Sequence, residues 1–218
     1  IVRAEGIITP GGDDQILVGD EVYFSVETKQ VGRAMSAFGH DEKEARRIVV
    51  IGGGNIGLFL SKQIIDEIPD VRLKLIELNR DQAERAADQL EKAVVIFGDS
   101  MASEILAEAN VQEADAVIAV TNDDQVNILS SLLAKREGAA RATTLVNNMT
   151  YGPLVRSLGI DAVVNPRAIT VSRILQHIRR GRIRGVHSLR DGLAEIIEAE
   201  TLETSPLSGK TLRTAKLP

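Results

Sequence analysis

From Arg46 onward, short apolar runs alternate with segments of helical spacing, and this alternation constrains the fold more than any other feature. The first pair is "RRIVVIG" followed by "NIGLFLSKQIIDEI". In the second, Ile56, Leu60, Ile64, Ile65 and Ile68 recur on one helical face, and Pro69 ends the segment. "VRLKLIEL" and "RDQAERAADQLEK" repeat the pattern, the latter rich in strong helix formers. "AVVIFGD" with "MASEILAEAN", "ADAVIAVT" with "DDQVNILSSLLAKREG", "ATTLVNN" with "GPLVRSLG", and "IDAVVNP" with "RAITVSRILQHIRRG" continue it. Unbroken Val and Ile runs mark strands buried on both faces, as in parallel sheets. The series therefore predicts an α/β fold: a Rossmann-like, doubly wound parallel sheet with right-handed crossovers.

The flanks read differently. "IVRAEGIITPGGDDQILVGDEVYFSV" holds β-prone runs at Ile7–Thr9, Ile16–Val18 and Val22–Val26, separated by Pro10–Gly12 and Gly19–Asp20. It is too short to hold a core of its own. A short helix is expected over Val31–Phe38, then a charged linker. "VHSLRDGLAEIIEAET" fits two strands, or a strand and a helix. The N-terminus lacks Met and any signal-peptide layout, and reads as a cut through a longer chain.

The first strand-to-helix turn carries the chemistry. Gly52, Gly54 and Gly57 fit G-x-G-x-x-G. The expected roles are a tight turn at Gly52, close approach of a pyrophosphate at Gly54, and helix–strand packing at Gly57. The helix that follows offers free N–H groups and a positive dipole end to phosphate. Glu77 ends the next strand at the expected offset of about 20 residues. A carboxylate there accepts hydrogen bonds from ribose hydroxyls and repels a 2′-phosphate, which favours NAD or adenosine phosphates over NADP. Arg80 is expected to be a surface residue at a helix start. Asp99 ends the third strand, where it either contacts the adenosine end of a ligand or caps the next helix. Thr121 and Asn122 follow the fourth strand and can line the crevice; Asp123 or Asp124 caps the helix after them. Asn147 ends the fifth strand on the same edge.

Composition narrows the function. The chain has no Cys, which excludes disulfides, Cys-ligated zinc and thiol chemistry. Three per cent aromatic content, no Trp and a net charge of -5 argue against nucleic acid as a partner. No apolar run reaches the roughly 18–20 residues needed to cross a bilayer. His40, His177 and His187 lie away from the crevice-facing strand ends. Walker-type, G-x-S-x-G and H-E-x-x-H motifs are missing. The sequence thus offers a nucleotide pocket without an evident acid/base, so no enzyme is expected; the alternative is an NAD-dependent oxidoreductase domain. The one basic cluster, Arg179, Arg180, Arg182 and Arg184, reads as a solvated helix end or a contact for an acidic partner.

"RRIVVIGGGNIG", "FGD", "AVTNDD" and "LLAKREGA", with "PRAITVSRILQHIRRGRIRGVHSLRDGLAEIIEAE", resemble the RCK or KTN domains of potassium-conductance regulators, as in bacterial Trk potassium uptake systems. The resemblance covers nearly the whole chain. It implies tandem lobes, with residues 1–27 as the end of a preceding RCK C-lobe and 28–45 as a linker. Residues 46–181 would be the nucleotide-binding N-lobe, and 182–218 the crossover and start of a following C-lobe. It implies NAD(H) or an adenine nucleotide (ATP, ADP or AMP) as ligand, held by Gly52, Gly54, Asn55, Ile56, Gly57, Glu77, Asp99, Thr121 and Asn122. It further implies a homo-oligomer, a dimer or larger, that is cytoplasmic and peripheral at the inner face of the plasma membrane. There it would gate a TrkH- or TrkG-type potassium channel by ligand-dependent rearrangement. Many such lobes carry an Arg after the fifth strand, where this chain has Asn147 and Asn148. That departure removes a charge contact to a terminal phosphate and favours a dinucleotide or an AMP-like ligand, or a pocket of weak affinity.

Overall fold

The computed structural model describes residues 1–3, 6–40, 44–178, 183–189, 194–211 and 214. Two compact units make up the chain: Glu44–Val171, and a second formed by Ile1–Lys43 with Ser172–Pro218.

In the second unit, β1 (Val2–Arg3) and β2 (Gly6–Ile7) pair antiparallel, and Val2 also bridges to Glu21. The β-prone runs Ile16–Val18 and Val22–Val26 form no strand, which corrects the sequence expectation. The reason is Asp20. Its carboxylate accepts the Leu17 N–H at 2.8 Å, and its own N–H donates to the Leu17 carbonyl at 3.1 Å, so the chain turns back at the first run. The Arg3 guanidinium clamps the same carboxylate at 2.7 and 2.8 Å. Beyond it, α1 (Val31–Ala37) forms as expected, and the Phe24 and Phe38 rings stack with centroids 5.0 Å apart.

The Arg3 and Leu17 hydrogen bonds lower the Asp20 pKa from 3.8 to about 2. A depressed carboxyl pKa stabilises the fold above the unfolded value and loses that contribution as pH falls through the folded one. Amide exchange at Leu17 and Glu21 should therefore be slow and flat above about pH 4, after correction for intrinsic rates, and accelerate as pH falls toward about 2. Flat corrected protection down to pH 2 would contradict the clamp.

In the Glu44–Val171 unit the strands are β3 (Arg47–Ile51), β4 (Arg72–Glu77), β5 (Ala93–Phe97), β6 (Ala116–Ala119), β7 (Ala142–Leu145) and β8 (Ala162–Val164). They alternate with α2 (Asn55–Glu67), α3 (Arg80–Gln89), α4 (Ser103–Glu108), α5 (Asp124–Glu137) and α6 (Gly152–Ser157), and α7 (Pro166–Ile178) follows β8. The sheet order is β5-β4-β3-β6-β7-β8, parallel throughout. The doubly wound sheet anticipated from the alternation is therefore present. After β3 the chain first builds outward through β4 and β5, then returns to place β6 on the other side. That reversal opens a crevice at the carboxyl ends of β3 and β6.

Both faces of β3 are buried, which is why its run is apolar without alternation. Ile48 and Val50 pack with Ile64, Leu73, Leu75, Ala86 and Leu90 beneath α2 and α3. Val49 and Ile51 pack on the other face with Ile76, Ile96, Leu106, Val111 and Val117. Each such side chain contributes about 1.5–3 kcal/mol on burial. Helix ends follow local chemistry. Asp123 caps α5 by accepting the Gln125 and Val126 N–H groups, and Gly138, at φ 114, ends it. Asn79 caps α3 through the Gln82 N–H. Pro166 opens α7, with Asn165 accepting the Ala168 N–H.

After α7, β9 (Ile183–Leu189) and β10 (Ala194–Ala199) form an antiparallel pair with Ile196 opposite His187, the two-strand option for this segment. Arg179, Arg180 and Arg182 lie outside the described residues, as do Leu212, Arg213 and Ala215–Pro218. No helix among the described residues is long and apolar enough to cross a membrane.

Candidate functional site

A cleft of about 1070 Å³ opens at the carboxyl ends of β3, β4, β5 and β6. Gly52, Gly54, Asn55, Ile56, Glu77, Asp99, Thr121 and Asn122 all line it. Gly57 does not; it sits one layer behind, buried at the start of α2.

Two of the three motif glycines, Gly52 and Gly57, have separate steric reasons to be glycine. Gly52 adopts φ 104, and a Cβ there would stand 3.0 Å from the Thr121 backbone nitrogen. Gly57 packs so tightly that a Cβ would fall 1.8 Å from the Gly52 carbonyl oxygen. Gly54 has φ −70 and ψ −171, open to any residue, and a Cβ there would meet nothing within 4 Å. Its space is cleft, the cradle a side chain would fill and a diphosphate can enter. Gly54 is also the N-cap of α2, and no side chain caps that helix. The first-turn N–H groups therefore face the cleft mouth without a protein acceptor, an arrangement suited to an anion.

Glu77 is more than a charge at a strand end. It is 9% exposed, accepts the Gly53 N–H at 2.5 Å through Oε2, and accepts the Asn79 N–H at 2.7 Å through Oε1. The carboxylate thus ties the tip of the glycine turn to the start of α3. Each oxygen retains a lone pair for a further donor, such as a ribose hydroxyl.

Asp99 does not cap α4. Its Oδ1 accepts the Met101 N–H at 2.9 Å within the β5–α4 loop, and the N-cap position is Ala102. Asp99 is left at the cleft edge, beyond Glu77 in strand order. Thr121 is fastened inward: its N–H and hydroxyl both donate to Asn127 Oδ1, at 2.8 and 2.7 Å. Asn147 does not line the cleft. Its N–H and side-chain amide donate to Asp124 Oδ1 at 2.8 and 3.0 Å, and the Asn148 N–H donates to Asp124 Oδ2 at 2.8 Å. Burial pushes the Asp124 carboxyl up, but the Asn147 and Asn148 donors outweigh it and hold the pKa below the ordinary value. Asp123, not Asp124, caps α5.

Several lining residues escape a reading of strand ends alone. Gln82, Arg85 and Gln89 share one face of α3 and border the cleft, as do Leu78, Ser100 and Met101 at the ends of β4 and β5. Helical periodicity would have grouped the first three had their segment been read for its polar face. Arg80, three residues after Glu77, does not line the cleft and stacks over the Phe97 ring at 4.7 Å. No histidine is among the described residues lining the cleft.

The comparisons with known proteins agree with this fold. Residues 48–166, more than half of the chain, match the model of the TrkA-N domain family. The chain is 54% identical over 213 residues to the Trk system potassium uptake protein TrkA of Azorhizobium caulinodans, covering 98% of this chain and 46% of that protein. It therefore spans about half the length of the curated relatives it matches. Among solved structures it is similar in fold to the GsuK channel bound to NAD, with a TM-score of 0.54 at 21% identity over 69% of this chain and 26% of that one. It is similar also to GsuK bound to ADP, with a TM-score of 0.50 at 25% identity over 61% of this chain and 34% of that one. By the match over more than half of its length and its identity to these curated relatives, the chain belongs to the TrkA-N domain family.

Proposed function

We propose that the Glu44–Val171 unit is a nucleotide-sensing lobe of a potassium uptake regulator, and that it performs no chemistry on its ligand. The observation that carries this reading is the open space at Gly54 beside the uncapped α2 N-terminus, with Glu77 fixed one strand away. NAD(H) or an adenine nucleotide fits that arrangement: pyrophosphate or phosphate at Gly52–Gly57, including the Asn55 and Ile56 N–H groups, ribose at Glu77, and the adenosine end toward Asp99. Thr121 and Asn122 close the other wall. The relatives named as Trk potassium uptake proteins support the process, and the NAD- and ADP-bound GsuK structures support the ligand class.

A ligand shifts a conformational equilibrium only by its differential affinity for the two states. The loops at the strand ends are where such a difference arises. Ligand-dependent rearrangement of a homo-oligomer then gates potassium flow through a membrane partner of the TrkH or TrkG type. In this reading residues 46–181 are the nucleotide lobe, 28–45 the linker before it, and 1–27 and 182–218 parts of neighbouring C-lobes.

Replacing Glu77 with Ala tests the ribose contact. Nucleotide binding should weaken by about 1–3 kcal/mol, because hydrogen bonds to a charged group are lost and the glycine turn loses its tie. Calorimetric dissociation constants equal in parent and variant would remove Glu77 from the site.

A further inference from the structure

Behind the cleft wall lies a buried side chain with no place in the ligand contacts above. Asn127, in the first turns of α5, has no exposed surface. Its Oδ1 accepts the Thr121 N–H at 2.8 Å and the Thr121 hydroxyl at 2.7 Å. Its Nδ2 donates to the Thr121 carbonyl and to the Leu145 carbonyl, each at 3.0 Å. A side-chain amide has two donor hydrogens and two acceptor lone pairs. All four are spent, so Asn127 cannot bind ligand itself; it can only hold what it touches.

What it touches lies on both sides of α5. Three of its bonds go to Thr121, a cleft-lining residue whose backbone packs against Gly52. The fourth goes to the end of β7. One turn earlier, Asp124 fastens Asn147 and Asn148, the second and third residues after β7, through three further hydrogen bonds. Further along these elements, the hydroxyls of Ser131 on α5 and Thr144 on β7 are buried without partners. Asn127 and Asp124 are thus the ties among the described residues that join the first turns of α5 to the β7 exit.

We propose that Asn127 is a positioning residue that sets the Thr121–Asn122 wall of the cleft and makes the β7 exit, Leu145–Asn148, respond to the ligand. This rests on the reading that the cleft takes a nucleotide. Thr121 cannot shift relative to Leu145 without leaving a buried amide or carbonyl unpaired. A ligand that tightens the wall therefore carries the start of α5 with it, and Asp124 passes the movement to Asn147 and Asn148. The coupling is a contiguous chain of hydrogen bonds, and it needs a direct measurement.

The measurement is amide NMR and hydrogen exchange on the 218-residue chain, with NAD and ADP as separate probes at saturation. In the parent protein the amides of Gly52–Gly57 should shift. Those of Asn147 and Asn148 should shift with them, and their exchange should slow by about tenfold. In Asn127→Ala the glycine amides should still respond, at about tenfold higher ligand concentration, while Asn147 and Asn148 stay unchanged. If that variant does not fold, Asp124→Asn keeps Asn127 in place and should silence Asn148 alone. Glycine amides that shift in the parent without any change at Asn147 and Asn148 would overturn the coupling and leave nucleotide binding standing. So would an Asn127→Ala protein with unchanged affinity and an unchanged β7 response. No response at any amide to either probe would overturn both the coupling and the nucleotide reading.

Discussion

Replacing Gly57 with Ala is expected to destabilise the Glu44–Val171 unit by about 3 kcal/mol or more and to abolish nucleotide binding. Glycine to alanine within a helix ordinarily gains up to about 1 kcal/mol, so the sign of the effect is itself diagnostic. Here the added methyl would lie 1.8 Å from the Gly52 carbonyl oxygen and 2.9 Å from its carbon. Both atoms are backbone and cannot rotate away. Relief requires α2 to lift off β3, which breaks the packing of Ile64 against Ile48 and Val50 and displaces the N–H groups aimed at the cleft. A fall in melting temperature of roughly 10 °C should accompany the change. Gly54→Ala is the control, since its methyl meets nothing within 4 Å. Matching melting curves for Gly57→Ala and the parent would show that helix and strand are not in contact there.

The second large effect separates binding from folding. Gly54→Asp should leave the unit as stable as the parent or slightly more so, because Asp is a favoured N-cap and Gly54 already has φ −70 in open space. Nucleotide affinity should nevertheless fall by at least about 100-fold. The new carboxylate would occupy the position of the diphosphate and compete for the same helix N–H groups. Like charges about 4 Å apart repel by about 4 kcal/mol at an effective dielectric near 20. Calorimetry beside thermal melting reads both quantities. A folded Gly54→Asp protein that binds every adenine nucleotide as the parent does would place the phosphate elsewhere.

The sheet was legible in the sequence because buried parallel strands and amphipathic helices have different periods, and each strand–helix pair from "RRIVVIG" onward announces itself. The turn at Gly52 and the packing at Gly57 were legible for the same local reason: both are fixed within a few residues. What escaped depends on neighbours distant in sequence. Asp20 turns the chain because Arg3 reaches it, so the run at Ile16–Val18 is no strand despite its β propensity. Arg80 is exposed at the start of α3, as expected, but its stacking on Phe97 depends on another strand, and Arg85, five residues further along the helix, borders the cleft. Asn147 sits at a strand end, as expected of a crevice residue, yet it is bound to Asp124. Asn127 carried no signal in "NILSSLLA": its partners are Thr121, in the loop before α5, and Leu145, at the end of β7.

The most direct test of the central claim is a calorimetric titration of the 218-residue chain with NAD, NADH, ATP, ADP and AMP in turn. Association state and NADH absorbance are followed alongside. The expected result is saturable binding of at least one of the five at one site per chain, lost in Gly54→Asp, with the nucleotide recovered unchanged. Absence of binding by all five would contradict a sensing lobe and leave the cleft a scaffold. Consumption of the nucleotide, or hydride transfer to an added carbonyl compound, would contradict it from the other side.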